Sequence, residues 1–516
     1  MLWLALHLPR LSLEAFCATL PAQAHACPVA LIAEHRVHSV NTAAAERGLE
    51  PGLKRSTALA LAADLLLAES DAARDAAALQ AVAHAALAFT PAVTLQDTQT
   101  VLLEVQASLR LFGGLAALRQ RLAAALAPLG HQVQVAAAPS ALGAALLAQW
   151  HPAGRGDLVL GAHATRLSAL QALLAAAPLG LLNSSREHGQ ALQGMGLHTL
   201  SDLSRLPRAG LARRFGEELL DELDRALGLQ ADSRRWLELP AVFESRLELF
   251  ARADSTEQVL YGAAVLLARL VAWAQARHAR VGAFTLRMRH EPRRHQTTAE
   301  ATELRVELAE PAGDAAHLQT LLRERLARVE LAAPTLELQL HCSQLVAGHA
   351  PNGELFPTRA SQAEGLTRLL ERLRARLGDA QVQRLEAVAD HRPERASRAV
   401  PAQGGTAASA ALAATAMATE LRVERVEPAL PLHRPVWLWP EPLPLAEREA
   451  LPLLDGRPLQ LVSGPERIEA GWWDDTPVAR DYFIAQAADG SLVWVYRGRL
   501  PGERGEVNWF LQGRFA

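Results

Sequence analysis

An alternating row of arginines is the clearest group of side chains that could bind an anion. In the segment GAFTLRMRH, apolar residues alternate with polar ones: Phe284, Leu286 and Met288 against Thr285, Arg287 and Arg289. Because successive side chains of a strand point to opposite faces, the pattern predicts one buried face and one face carrying arginines. Arg293 and Arg294 extend the row. Guanidinium groups form forked hydrogen bonds with phosphate, so the row could bind a nucleic-acid backbone without recognising bases.

A second candidate phosphate site lies in LQGMGLHTLSDLSRLPRAGLARRFG, which has the pattern of a helix-hairpin-helix unit. Gly194 and Gly196 suit its tight turn, because glycine adopts backbone conformations that strain other residues. Backbone N–H groups at the start of the following helix could then hold a phosphate. Each candidate has a structural alternative: a solvated strand face for the arginines, and a simple turn between packed helices for the glycines.

The composition bounds the class of protein. A chain of 516 residues, half of them hydrophobic, is too long for one core. The net charge of -3 does not identify a nucleic-acid binder, so contacts with DNA would have to come from local basic faces. Cys17, Cys27 and Cys342 have no metal-binding or disulfide spacing. The apolar start is interrupted by Pro9 and Arg10, and no later segment is expected to approach the length of a membrane span. We therefore expect a soluble cytoplasmic protein.

The patterning predicts a multidomain chain with α/β and α+β parts. Strands are expected at 2–8, 28–33, 100–105 and from 131, with helices at about 56–68 and 72–88. The sequence pattern predicts only helices after about residue 178. In the next region, strands at 282–290 and 335–342 flank helices. An Ala-, Pro- and Gly-rich stretch then predicts a flexible linker over 393–430, followed by a small β-rich, Trp-rich region over 431–516.

The order of these regions resembles the Y-family DNA polymerases over about residues 1–345. LALHLPRLSLEAF stands where that family has its first carboxylate strand, AAAPSALGAALLAQW where it enters a palm helix, and GLHTLSDLSRLP in its thumb. The resemblance implies a palm and fingers over 1–165, a helix-hairpin-helix thumb over 166–236 and an α+β little finger over 237–347. The ending GPERIEAGWWDDTPVARDYFIAQAADGSLVWVYRGRL is similar to that of ImuB proteins, which lie outside the catalytic branch.

Phosphoryl transfer in the Y family needs two magnesium ions held by carboxylates on adjacent palm strands. The resemblance places His7 and Pro9 at the first carboxylate pair, and Gln99 and Thr100 at the second. None of these four side chains carries a negative charge. We therefore predict no metal, no cofactor and no nucleotidyl transfer.

The groups that hold the incoming triphosphate are absent as well. Thr42 and Ala45 stand where the family has a tyrosine and an arginine, and Ala141 stands where it has a palm-helix lysine. The alternative is an alignment slipped by a few residues, in which Glu14, Asp97 or Glu104 holds a metal. A one-residue slip would turn the apolar face of the strand outward, which argues against this alternative.

A short motif after the little finger points to a partner. Within the extension 348–392, HAPNGELFPTR resembles sliding-clamp-binding peptides of the Q-x-x-L-F class, with Asn352 at the glutamine position, followed by Glu354, Leu355 and Phe356. A Leu-Phe pair that enters a hydrophobic pocket can dominate the affinity of such a peptide. The alternative is that the pair packs back on its own domain.

The end of the chain carries six tryptophans, which could form a core or an interface: Trp437, Trp439, Trp472, Trp473, Trp494 and Trp509. The resemblance to ImuB proteins implies that this region recruits a RecA-like small partner of the ImuA type and an error-prone replicative-type polymerase. It also implies a role in the SOS response, translesion synthesis and mutagenesis. We expect a scaffold that holds damaged or primer-template DNA and the sliding clamp. The alternatives are an active error-prone Y-family polymerase and an interaction hub that does not bind DNA.

Overall fold

The computed structural model describes residues 1–150, 158–292, 300–348, 359–402, 434–435, 437–499 and 508–515. The chain divides into two compact units, Met1–Gln362 and Ala363–Ala516. The division falls inside the segment 348–392, which the sequence assigns to the clamp motif and a helical extension.

Strands and helices alternate in the first 163 residues. In chain order they are β1 (Trp3–His7), α1 (Leu11–Cys17), β2 (Val29–Ala33), β3 (Arg36–Val40), α2 (Thr42–Ala45), α3 (Arg55–Leu61), β4 (Leu66–Glu69), α4 (Ala72–Leu87), β5 (Val93–Leu95), β6 (Thr100–Glu104), α5 (Leu109–Phe112), α6 (Leu115–Leu126), β7 (Val133–Ala138), α7 (Ala141–Trp150) and β8 (Leu158–His163). One sheet has the order β5-β6-β1-β7-β8, with β7 and β8 parallel and the other neighbours antiparallel. The predicted mixed α/β character of this region is confirmed.

Strand β1 lies at the centre of this sheet and is covered on both faces. Leu4 and Leu6 belong to the core that contains α4 and α6, whereas Trp3 and Ala5 belong to the core that contains α7. Burial on both faces explains why the strand is a nearly unbroken apolar run rather than an alternating one.

A second, three-stranded sheet has the order β3-β2-β4, with β2 and β4 parallel. Here the predicted helix over 56–68 is wrong in its second half. The helix α3 ends at Leu61, and Leu66–Glu69 form strand β4 beside β2. Alanine and leucine favour a helix locally, but pairing with β2 outweighs that weak preference.

The next region is helical, as predicted. It contains α8 (Leu167–Leu174), α9 (Asn183–Glu187), α10 (Gly189–Gly194), α11 (Leu200–Ser204), α12 (Arg208–Phe215) and α13 (Glu217–Leu227). Helix α13 packs on α7 at Gly143, where an added Cβ would lie 2.6 Å from the carbonyl oxygen of Ala226. Ser140 Oγ donates a hydrogen bond of 2.7 Å to the same oxygen. A glycine at this position therefore lets the helical region share a core with the sheet.

The third region is α+β. Its elements are β9 (Phe243–Ala253), α14 (Thr256–Ala276), β10 (Ala279–His290), β11 (Ala301–Ala312), α15 (Ala315–Leu326) and β12 (Thr335–Ala347), and the antiparallel sheet has the order β11-β10-β12-β9. Ser255 and Gln258 form a capping box at the start of α14, which satisfies backbone N–H groups there. The strands β9 and β11 were not identified from the sequence.

Helix α14 has 21 residues and is long and apolar enough to span a membrane by those two criteria. The expectation that no segment approaches this length is therefore wrong. Most of the helix is buried in the protein, where Leu266, Leu270 and Trp273 pack into the core. Its apolar character is explained by this packing.

The second unit begins with α16 (Arg359–Leu377), which crosses the division, and a hairpin of β13 (Gln383–Ala387) and β14 (Ser397–Pro401). Its main strands are β15 (Trp437–Arg448), β16 (Leu451–Leu454), β17 (Arg457–Pro458), β18 (Gln460–Ala470), β19 (Val478–Gln486), β20 (Leu492–Gly498) and β21 (Trp509–Arg514). They form one sheet in the order β17-β16-β15-β21-β20-β19-β18. Successive residues of β20 enter separate cores, Val493 and Val495 on one face, Trp494 and Tyr496 on the other. The predicted β-rich ending is confirmed.

The predicted linker begins too early. Residues 393–402 are ordered, because the side chains next to the hairpin are held by the sheet. Arg392, whose side chain is 2% exposed, donates to Asp390 and Asp474 over 2.6 Å each. Glu394 accepts from Arg480 and Gln512 over 3.1 and 2.9 Å. Hydrogen bonds to the two aspartates raise the pKa of Arg392, and its guanidinium lowers the pKa of Asp474. The remaining residues, 403–430, lie outside the described residues.

This arrangement predicts different behaviour for two truncations. A chain ending at Gln362 is expected to keep a cooperative thermal transition, since the first unit has its own cores. A chain ending at Leu430 keeps Arg392 but loses Asp474, so Arg392 in the hairpin of β13 and β14 loses one of its two carboxylate partners. Limited proteolysis should then cleave within 363–402 at least about tenfold faster than in the full chain. Equal cleavage rates would show that the hairpin does not depend on the sheet.

Candidate functional site

The ends of β1 and β6 bring two of the predicted residues together. His7 pairs with Thr100 in the antiparallel register. The two side chains are joined by a hydrogen bond of 3.0 Å between His7 Nδ1 and Thr100 Oγ1. Thr100 is fully buried, and its hydroxyl donates to Asp97 Oδ2 over 3.2 Å. The hydroxyl has a single hydrogen, so the bond to His7 requires that Nδ1 carries a proton.

The hydrogen-bonded residues His7, Thr100 and Asp97 are an unsuitable ligand set for magnesium. Burial lowers the pKa of His7, and the nearby carboxylate of Asp97 opposes this effect less strongly. The imidazole is therefore neutral at neutral pH, with a protonated nitrogen facing Thr100. Magnesium prefers several hard oxygen ligands in octahedral geometry, and the hydroxyl of Thr100 is already engaged on both sides.

The other aligned positions also lack ligating groups. Pro9 lies half-buried in the turn after β1, and the backbone oxygen of Gln99 accepts from Leu8 N over 2.8 Å. Ala141 is the first residue of α7 and is buried. Thr42 and Ala45 lie exposed in the short helix α2.

The three acids of the slipped-alignment alternative lie apart. Glu14 is on α1 and accepts from Gln132 N over 3.0 Å. Glu104 pairs with Trp3 at the far end of β1, about 13 Å along β6 from Thr100 at the usual rise of a strand. Asp97 alone lies near His7. In the described part of the chain, no group of three or more His, Cys, Asp or Glu residues could hold a metal ion.

A cavity of about 150 Å³ adjoins His7 and is lined by Gln99, Arg186 and Glu222, among others. Glu222 is committed within the protein, because it accepts from the backbone N–H groups of Asn183 and Ser184 over 3.0 and 2.9 Å. The volume is about half the lower end of the range of roughly 300 to 1,000 Å³ found for small-molecule sites.

The arginine row has the predicted alternation. Phe284, Leu286 and Met288 are buried, whereas Arg287 and Arg289 are 52% and 66% exposed. Strand β10 lies inside the sheet between β11 and β12, so the row runs along its solvent face. Arg293 and Arg294 lie outside the described residues.

Glutamates on the neighbouring strands reduce the positive charge of this face. Arg287 lies 3.8 Å from Glu303, and Arg289 lies 3.6 Å from Glu337. Arg246 on β9 lies 3.5 Å from Glu337 as well. Arg287 and Glu303 form an exposed pair, which contributes only about 0 to 1 kcal/mol, so a phosphate oxygen could replace Glu303. The side chain of Glu337 is only 13% exposed, so that estimate does not extend to its pairs with Arg289 and Arg246. The positive charge of this face is therefore lower than the sequence suggested.

The proposed phosphate site after Gly194 and Gly196 requires a correction. Gly196 has the positive φ of 78° that the turn predicts. However, each backbone N–H from 195 to 202 already donates within the chain. Those of His198 and Thr199 donate to the carboxylate of Asp202 over 3.2 and 2.9 Å, and Asp202 N donates to Thr199 Oγ1. A carboxylate of the chain itself thus occupies the place of the phosphate, which favours the structural turn.

The clamp motif at Asn352, Glu354, Leu355 and Phe356 lies outside the described residues, and it stays a prediction.

The tryptophans of the C-terminal region divide between the two predicted alternatives, a core and an interface. Trp494 and Trp509 are buried, whereas Trp437, Trp472 and Trp473 are 72%, 74% and 53% exposed and Trp439 is intermediate. Trp472 and Trp473 meet edge to face at 4.6 Å.

Sequence reasoning missed the part played by Asp97. Its Oδ1 accepts from Gln99 N over 2.8 Å, which closes a turn, while its Oδ2 fixes Thr100. The signal was present in the spacing Asp-Thr-Gln-Thr, because aspartate commonly accepts from a backbone N–H two residues later.

No protein-family model matches the chain. Over 490 residues, 91% of this chain and 100% of the relative, it is 29% identical to Protein ImuB from two strains of Caulobacter vibrioides. Similar solved structures include the insertion ternary complex of Dbh DNA polymerase, with 14% identity, a TM-score of 0.38 and coverage of 67% of this chain and 100% of that chain. Another is DinB from Sulfolobus solfataricus, with 15% identity, a TM-score of 0.34 and coverage of 67% and 99%.

Proposed function

We propose that this chain, a homologue of Protein ImuB over nine-tenths of its length, is a non-catalytic scaffold in the response to DNA damage. In this proposal it holds primer-template DNA during translesion synthesis while a separate polymerase performs the chemistry. The observation that carries the proposal is the hydrogen-bonded pair of His7 and Thr100 at the ends of two adjacent strands.

The pair bears on catalysis through the metal ions that phosphoryl transfer requires. Metal ions stabilise the negative charge on the attacking and leaving oxygens, and carboxylates must balance the positive charge of the metal ions. At the strand ends a neutral imidazole faces a buried hydroxyl, with Asp97 as the nearby acid. Two divalent cations here would lack both ligands and compensating charge. Primer extension is the direct test.

A second candidate function is an interaction hub that does not bind DNA. The pairing of Arg287 with Glu303 and of Arg289 with Glu337 favours it, since these glutamates oppose the approach of a phosphate backbone. The two functions differ in the salt dependence of DNA binding, because release of counterions accompanies each phosphate contact.

Replacing Arg287 and Arg289 with alanine is expected to weaken binding to all DNA sequences alike. The slope of log K against log salt should flatten by about one to two units, since each arginine–phosphate contact contributes about 0.9. Fluorescence anisotropy with several oligonucleotides over a range of salt concentrations measures both effects.

The matched control replaces Arg323 and Arg328, which are exposed on and just after α15. It should leave the slope unchanged. An unchanged slope in the Arg287/Arg289 double variant would make the row a solvated strand face. Absence of salt-dependent DNA binding by the unmodified protein would support the hub.

The partners remain part of the proposal. We place a sliding clamp at Leu355 and Phe356, and a RecA-like small partner with an error-prone polymerase on the second unit. Support for the latter is the exposure of Trp472 and Trp473, since aromatic residues are enriched at protein interfaces. A cytoplasmic location follows from the same role.

A further inference from the structure

A second, larger cleft in the first unit has no role in the proposed function. It has a volume of about 1050 Å³ and is bordered by α4, the end of β4 and the edge strand β9. Its walls include Phe16 and Phe250, whose rings meet edge to face at 5.2 Å. Phe250 is 44% exposed, so the cleft presents an aromatic surface to solvent.

The cleft also contains a buried arginine. Arg269 lies on α14 and is 5% exposed. Its guanidinium donates to Ser245 Oγ over 3.2 Å, and Ser245 lines the cleft too. Among the described residues, no carboxylate lies within 4.0 Å of it. By contrast, the equally buried Arg392 holds two aspartates.

A buried cation without a counter-charge is costly, and the usual compensation is a paired anion. Burial lowers the pKa of Arg269 to about 10, so the guanidinium is still charged at neutral pH. The protein therefore keeps a charged group at this position without supplying its partner.

The other charged groups of the cleft leave Arg269 as the candidate anion site. Arg74 lines the same cleft, but its Nε lies 3.9 Å from Asp75 Oδ1, and its guanidinium lies 5.3 Å from the centre of the Phe16 ring. His84 also lines the cleft, and burial lowers its pKa to about 4, so it does not compete as a second cation. Acids line the cleft as well, but all are exposed to solvent and screened: Glu69, Asp71, Glu244 and Glu248.

We propose that this cleft binds a small organic anion. Its phosphate or carboxylate group pairs with the fork of Arg269, which matches the geometry of both oxyanions. Its apolar body packs against Phe250, the exposed aromatic residue of the cleft. The proposal is independent of the scaffold function, because none of these residues belongs to the arginine row or to the strand ends.

The test uses the full chain and probes that separate the head group from the body: inorganic phosphate, phenyl phosphate, acetate and benzoate. At about ten times the dissociation constant, an aromatic probe should raise the thermal midpoint by roughly 1 to 2 °C. Sodium chloride at equal ionic strength should not. Comparison of phenyl phosphate with benzoate by calorimetry identifies the preferred head group.

Two variants locate the site. Arg269→Met should weaken binding of the preferred probe at least about tenfold, without lowering the thermal midpoint of the probe-free protein, because an unpaired buried charge is removed. Phe250→Ala should remove the advantage of the aromatic probes over the inorganic ones. Arg323→Met is the control, since it changes an exposed arginine outside the cleft.

Three results would overturn the proposal. The first is that no probe binds, and the second is equal binding by the Arg269→Met variant. The third is a large loss of stability in that variant without a probe, which would make Arg269 a structural residue.

Discussion

Alanine at both Leu355 and Phe356 is expected to weaken binding to the sliding clamp on the order of tenfold to several hundredfold. The two residues stand between Gly353 and Pro357, which discourage a continued helix or a central strand. An extended peptide with a Leu-Phe pair can enter a preformed pocket, where burial of each side chain contributes roughly 1.5 to 3 kcal/mol. Surface plasmon resonance with immobilised clamp measures the change.

The chain offers a matched control for this variant. Leu366 and Leu369 follow shortly afterwards on α16 and are 47% and 52% exposed. Alanine at these two positions removes a similar apolar area, and clamp binding should stay within about twofold of the wild type, as expected for contacts outside a hot spot. Asn352→Ala should have a smaller effect than the double variant.

Thermal stability and DNA binding complete the design. Both should be unchanged by the Leu355/Phe356 variant if the pair serves a partner. A lower thermal midpoint with unchanged or absent clamp binding would place the pair in a core and remove the clamp from the proposal.

The parts of the fold that the sequence predicts well are those in which local pattern and burial agree. The unbroken apolar run at 2–8 and the alternation at Phe284, Leu286 and Met288 give strands β1 and β10 with the predicted buried faces. In β10 the hydrophobic periodicity determines the buried face, and in β1 the unbroken apolar run indicates burial on both faces, so no knowledge of distant residues is needed.

The wrong predictions of secondary structure have a different cause. Strand β4 was predicted as helix because its pairing partner β2 lies more than 30 residues away in sequence. The folded conformation of residues 393–402 depends on contacts with Asp474 and Arg480, which lie beyond the predicted linker in sequence. Tertiary partners of this kind outweigh local composition and cannot be seen in a short window.

The site was predicted in part. Alignment with the polymerase pattern selected His7 and Thr100 separately, and the structure joins them by register and a hydrogen bond. The occupied amides after Gly196 were missed, although Thr199 and Asp202 have the spacing of a capping box, whose carboxylate competes with phosphate for the same donors. The glutamates opposite Arg287 and Arg289 required knowledge of strand order.

Purified protein is expected to extend a primer at least about 10⁴-fold more slowly than an active Y-family polymerase. Loss of one group that stabilises a transition state typically costs about 10²- to 10³-fold, and here several groups are missing together. His7 and Pro9 replace one predicted carboxylate pair, and Gln99 and Thr100 replace the other. Addition of manganese should not restore activity, because the ligands rather than the ion are absent.

Primer extension with magnesium and all four deoxynucleotides is the measurement that tests the scaffold most directly. It should be run beside a DNA-binding titration of the same preparation in the same buffer. We predict salt-sensitive binding of the primer-template and no extension above a no-enzyme control. Robust extension that is abolished by alanine at Glu14, Asp97 or Glu104 would contradict it and identify the chain as an active polymerase.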